Sequence, residues 1–116
     1  MTVLLLVPAG FPVPPQLWER AAILPCGSAE DLAAALAQPH DAAVIVTDAL
    51  PDFSLEGVAA AIRASSKPCV EVRSERWDGE SFSPVSAACR GVISGFGASG
   101  LLAAATLVES ELRGAG

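Results

Sequence analysis

The chain has 116 residues, 52% of them hydrophobic and only 17% charged, with a formal net charge of −6 and a mean hydropathy of +0.48. That length fits one domain with a single core, residues 1–116, and seven Lys and Arg residues without a basic cluster leave no electrostatic footprint for a phosphate backbone. Nucleic acid is therefore not an expected partner, and the apolar surplus predicts a subunit interface in a homo-oligomer.

In chain order, Thr2 to Val7 is a continuous aliphatic run bounded by Pro8 and Gly10, which reads as a buried strand. The run lacks a basic n-region, and Pro8, Pro12, Pro14 and Pro15 break any continuation of it. Neither a signal peptide nor a membrane span is expected, and the default location is cytoplasmic. Gln16 to Ala22 predicts a turn or two of helix, with Pro15 near its N-terminus and Trp18 as an apolar anchor. Ala22 to Cys26 is a short second strand.

Ser28 reads as an N-cap with Asp31 in place of the Glu or Gln of a capping box, and the helix Ala29 to Ala37 stops before Pro39. Ala42 to Thr47 is a third strand, Ser54 opens a helix to about Ala64, and Pro68 to Arg73 is a fourth strand. Ser86 to Ala88 closes a short helix before the fifth strand, Cys89 to Ser94. Ala98 to Leu112 is the last helix.

Strict alternation of helices with strands that lack period-two polarity argues for a parallel sheet covered on both faces. The predicted fold class is α/β, a flavodoxin-like three-layer sandwich with a five-stranded parallel sheet in the order 2-1-3-4-5. Ligands of such sheets bind beyond the carboxyl ends of the strands at the topological switch. Here that crevice is lined by Pro8 to Phe11, Thr47 to Asp52 and the stretch after Arg73.

Cys26, Cys69 and Cys89 lack C-x-x-C spacing and His40 is the only histidine, so no metal site and no cofactor is expected and the thiols read as buried and free. His40, between Pro39 and the third strand, reads as a surface loop residue away from the crevice. Gly95, Gly97 and Gly100 formally satisfy G-x-G-x-x-G. A dinucleotide fingerprint, however, opens a βαβ unit and has an acidic residue about 20 positions on, which this position does not supply. Close packing of the last helix on the last strand competes with an anion site on the backbone N–H groups of the turn.

Three segments resemble the type II 3-dehydroquinate dehydratases. They are Asp41-Ala-Ala-Val-Ile-Val-Thr-Asp-Ala-Leu-Pro-Asp-Phe-Ser54, Pro68-Cys-Val-Glu-Val-Arg-Ser74 and, most distinctively, Gly91-Val-Ile-Ser-Gly-Phe-Gly-Ala-Ser-Gly100. The resemblance covers roughly the last two thirds of the chain and implies a flavodoxin-like domain assembled as trimers or a dodecamer. It also implies a small-molecule ligand that is an anionic or polyhydroxylated carbonyl compound, and lyase chemistry of the dehydratase type. The family's lid tyrosine has no counterpart, since the chain contains no tyrosine. The family's strand-three asparagine falls on Val46, a neighbouring histidine on Asp52, and the strand-four histidine on Arg73. Neither valine nor arginine can take a proton from carbon, so ordinary dehydroquinate dehydration is not expected.

Asp48 and Asp52, in the loop after the third strand, are the candidate catalytic carboxylates. A paired acid–base role needs them to converge with one pKa raised, and solvated turn residues are the competing reading. Arg73 can hold a carboxylate or phosphate or sit in a structural ion pair, with Asp52 as one partner. Gly10, Ser74 and Arg76 complete the candidate ligand-binding set, with Arg76 at the place of the family's lid arginine. Trp77 reads as a lid or an interface anchor, and Ser99 as a cap of the last helix. A serine nucleophile at Ser94 or Ser99 would need a base that is not evident.

Asp48 followed by Leu50-Pro51-Asp52 also resembles the phospho-acceptor region of a response-regulator receiver. A working receiver needs an acidic pair after strand one and a lysine after strand five, where this chain has Val7-Pro8-Ala9 and Ser94-Gly95. Three readings thus remain: a divergent dehydroquinase-like ligand binder, a non-catalytic oligomeric scaffold or pseudoenzyme, and a degenerate receiver-like regulatory domain.

Overall fold

The computed structural model describes residues 2–47, 55–73, 85, 88–89, 91–94 and 99–115. Five strands, β1 (Val3–Val7), β2 (Ala22–Pro25), β3 (Ala42–Val46), β4 (Cys69–Arg73) and β5 (Gly91–Ser94), form one sheet in the order β2-β1-β3-β4-β5. Every adjacent pair is parallel. Among the described residues three α-helices, α1 (Ala29–Leu36), α2 (Leu55–Ser65) and α3 (Ser99–Ala115), cover it. The flavodoxin-like α/β architecture is therefore the one that the alternating pattern predicts. Among the described residues no helix is long and apolar enough to cross a membrane.

The central strands are aliphatic at successive positions because each face of the sheet is buried. Val3, Leu5, Val7, Val44, Val46, Val70 and Val72 pack with Leu101, Ala104 and Val108 of α3. The alternate residues Leu4, Leu6, Ala43, Ile45 and Cys69 pack with Leu32 and Leu36 of α1 and Val58 and Ile62 of α2. Period-two side-chain alternation sorts the two sets.

Helix α1 starts where the sequence places it. The Ser28 hydroxyl accepts from the Asp31 N–H at 3.2 Å, and the Asp31 carboxylate reaches back to the Gly27 N–H at 3.0 Å. Asp31 thus caps one residue earlier than the reciprocal bond of a capping box. The connection from β1 to β2 is tighter than a turn or two of α-helix: it contains a single 3₁₀ turn, Pro15–Leu17. Leu17, fully buried, is its anchor, whereas Trp18 is 62% exposed and donates its indole N–H to the Val13 carbonyl at 3.2 Å. The expectation for Trp18 is corrected on this point. A short turn admits one inward side chain, and the smaller leucine occupies that place.

His40 also departs from its expected exposure. It is only 9% accessible, and its Nδ1 lies 2.7 Å from the Gln38 carbonyl, as a donated N–H. Its Nε2 is buried with no partner among the described residues. The residue lies beside the C-terminal ends of α1 and α2.

Candidate functional site

The carboxyl edge of the sheet carries a polar cluster built by β3 and β4. Register pairs Ile45 with Glu71 and Val46 with Val72, and the Thr47 N–H extends the ladder by donating to the Val72 carbonyl at 3.3 Å. Alternation along β4 puts Cys69, Glu71 and Arg73 on the face covered by α1 and α2. Glu71 is completely buried.

A buried carboxylate costs several kcal/mol in desolvation unless it is bonded and paired. Here the Thr47 hydroxyl donates to Glu71 Oε2 at 2.6 Å, and Arg73 Nη2 lies 3.4 Å from the same oxygen. Charge-assisted bonds of this kind are stronger than neutral ones. The Arg73 side chain is 22% exposed against 0% for Glu71, so the pair runs from the interior to the rim. Glu71 acts as the buried holder of a guanidinium stationed at the sheet's carboxyl edge.

Of the residues singled out in the sequence, the structure places Arg73 in this cluster and Gly10 in the turn after β1. The Phe11 N–H donates to the Pro8 carbonyl at 3.0 Å, and Gly10 at the third position has φ +80°, the geometry a type II turn requires there. A Cβ on Gly10 would meet nothing within 4 Å. Backbone conformation rather than crowding demands the glycine. Asp48, Asp52, Ser74, Arg76 and Trp77 lie outside the described residues, as do Gly95 and Gly97.

No family model and no curated protein matches the chain.

Thr47 and Glu71 carry the geometry of the cluster; the sequence places Thr47 only at the start of the crevice lining and does not single out Glu71. The available signal was a lone carboxylate inside the aliphatic run Cys69–Arg73, because a charge in a fully buried strand requires partners.

A groove of about 600 Å³ opens at the opposite, amino edge, between α1 and α2, where Leu36, Ala61 and Ala64 give apolar walls and His40, Ser65 and Lys67 also contribute. Its position does not coincide with the topological switch. His40 Nε2 has essentially no accessible surface, so the imidazole offers this groove no reachable lone pair. The carboxyl-edge cluster is the better candidate because it brings a charged group from a paired, buried base to the rim.

Proposed function

We propose that this chain is a divergent dehydroquinase-like protein that binds a small anionic or polyhydroxylated carbonyl compound at the carboxyl edge of its sheet, as a homo-oligomer. The observation that carries the reading is the Glu71–Arg73 pair at the end of β4, with Arg73 reaching the rim and Glu71 fixed by Thr47. A guanidinium held in this way suits a carboxylate, whose two oxygens match the planar fork of N–H donors. A pre-positioned cation also loses less side-chain freedom on binding than a mobile one.

In this reading Arg73 orients the acid group of the ligand, and Gly10 lets the turn after β1 approach it by its backbone. Ser74 and Arg76 add polar contacts. Any turnover is an elimination in which Asp52 or Asp48 takes the proton from the carbon next to the carbonyl and water leaves. Neither Glu71 nor Thr47 serves as that base: the carboxylate is fully buried, and the hydroxyl is spent on it.

The test is titration of the purified protein with dehydroquinate and related cyclic hydroxy acids, read by calorimetry and native mass spectrometry. Binding by the wild-type chain and a loss of about tenfold or more in Arg73→Leu, equivalent to at least ~1.4 kcal/mol, supports the reading. Equal binding by the variant, or none of these acids bound by the wild-type chain, rejects it. The same native spectra decide assembly: a monomer at micromolar concentration removes the oligomer from the proposal. Asp52→Asn that leaves an observed turnover unchanged removes that residue as base.

A further inference from the structure

Two of the three cysteines are brought together by the fold in a way that their spacing does not reveal. Val70 pairs with Gly91 in the β4–β5 ladder. Cys69 stands one residue before Val70 and Cys89 two residues before Gly91, so they occupy neighbouring chains within one residue of register. The Cys89 N–H donates to the Val85 carbonyl at 3.1 Å, an i to i−4 bond. Both cysteines join the cluster formed with α1 and α2, Cys69 as a buried member and Cys89 packed against it.

We propose that Cys69 and Cys89 are a redox-sensitive pair that closes to an intramolecular disulfide when a small disulfide oxidises them. The inference is independent of the ligand reading. Adjacent parallel strands, a register within one residue and a shared packed cluster bring the two side chains into the range that a disulfide spans, with no transfer of either strand. Cys26 lies at the opposite edge of the sheet, after β2, where its N–H donates to the Val7 carbonyl at 2.7 Å. It is not a partner for either thiol.

The two sulfurs have different parts. Cys89 is partly accessible and Cys69 is buried, so an oxidant meets Cys89 first. The Cys69 thiol is held well above the ordinary range by its hydrogen bond to Cys89, by burial, and by the nearby charges of Cys89 and Glu71. It is the slower nucleophile toward any outside reagent. With oxidised glutathione, the Cys89 thiolate attacks one sulfur, forming a mixed disulfide and releasing one glutathione. Cys69 then loses its proton and attacks the Cys89 sulfur, forming the internal bond and releasing the second glutathione. The protein loses two protons and two electrons, and the reagent gains them.

The experiment is incubation of the intact protein with oxidised glutathione, alkylation of remaining thiols, and tryptic mapping. Cleavage after Arg63, Arg73, Arg76 and Arg90 leaves Cys69 and Cys89 on separate peptides, and Cys26 on a third. The expected result is a crosslink between the peptides of Cys69 and Cys89, with Cys26 alkylated. Cys69→Ser should arrest the reaction as a stable glutathione adduct on Cys89, and Cys89→Ser should lose modification at Cys69. A wild-type adduct on Cys89 that never resolves, a crosslink through Cys26, or no reaction overturns the proposal. Because the wild-type map is decisive by itself, failure of either variant to fold leaves the test intact.

Discussion

The two faces of the sheet are built from different materials. Under α3 the buried residues of the strands are aliphatic throughout, from Val3 and Leu5 through Val44 and Val46 to Val70 and Val72. Under α1 and α2 the same strands contribute Thr47, Glu71 and Cys69, with Cys26 and Cys89 beside them. The buried polar and charged residues among those described, His40, Thr47 and Glu71, all belong to that second side. One face thus carries stability in its simplest form, whereas the other spends part of its core on groups that titrate, pair and oxidise. A sheet can bear such groups because the first face supplies an uninterrupted apolar layer.

The largest test of this contrast compares neighbours on β4. Glu71→Ala strips the buried carboxylate from Arg73 and Thr47 and should cost about 3–5 kcal/mol, the range for breaking a buried pair by removing one partner. Val72→Ala, one residue along and facing α3, should cost about 2 kcal/mol from lost methyl burial and the cavity left. Urea denaturation of both variants measures the difference. The sharper version replaces both charges, as Glu71→Leu with Arg73→Leu. If the pair is retained for ligand recognition rather than for stability, the double variant should be as stable as the wild type or up to about 4 kcal/mol more stable, while losing affinity for the hydroxy acids. A double variant as unstable as Glu71→Ala would make the pair a structural requirement.

Thr47→Val comes next. It keeps the shape of the side chain and removes the hydroxyl that donates to Glu71 at 2.6 Å, for an expected loss of about 1.5–3 kcal/mol as a bond to a charged group. A neutral result would mean that the carboxylate is fully served by its other contacts.

Much of this architecture is legible in the sequence, and the reasons are local. Short aliphatic runs rich in β-branched residues, such as Ala42–Val46, favour buried strands over helices at that length, and Ser28 with Asp31 marks the start of α1 because the capping atoms are three residues apart. The polar cluster is less legible, since Thr47 meets Glu71 only through the β3–β4 register, which is a long-range property. Arg73 could be picked out as a charge at a strand end, but its holder sits two residues earlier inside an apolar run. The approach of Cys69 to Cys89 is hidden for the same reason: the ladder of β4 and β5, not spacing along the chain, makes them neighbours. Trp18 misleads in the opposite sense. Size and hydrophobicity suggest an anchor, but the 3₁₀ turn directs Leu17 inward instead.

The alkaline limit of stability should also belong to the polar face. Hydrogen bonding to Cys89, followed by burial, raises the Cys69 thiol, and burial, followed by the charge of Asp31, raises Cys26. An unfolded thiol ionises near its ordinary value of about 8.5, whereas these two keep their protons to higher pH in the folded chain. The folded state therefore binds more protons above that value, and stability falls as pH rises. Their contribution is fully present below the unfolded pKa. Thermal melts of the reduced protein in the alkaline range should show a shallower decline for Cys69→Ala than for the wild type. Equal slopes would place the alkaline sensitivity elsewhere.

The smallest expected effect comes from the α3 side, whose charged contact is at the surface. Arg20, in the segment before β2, reaches Glu109 of α3 with Nη2 at 2.6 Å from the carboxylate, and the two side chains are 39% and 14% exposed. Short as it is, the contact ends in solvent, where side-chain entropy and counterions offset most of the attraction. Arg20→Ala should cost no more than about 1 kcal/mol, and the deficit should shrink as salt is raised toward ~1 M. Glu71→Ala should be far less sensitive to salt, because its carboxylate has no accessible surface. Denaturation of the two variants across a salt series separates them. If Arg20→Ala proved as costly and as salt-resistant as Glu71→Ala, the division between an apolar face and a polar one would fail at its edge, and α3 would be held by charge as well as by its aliphatic stripe.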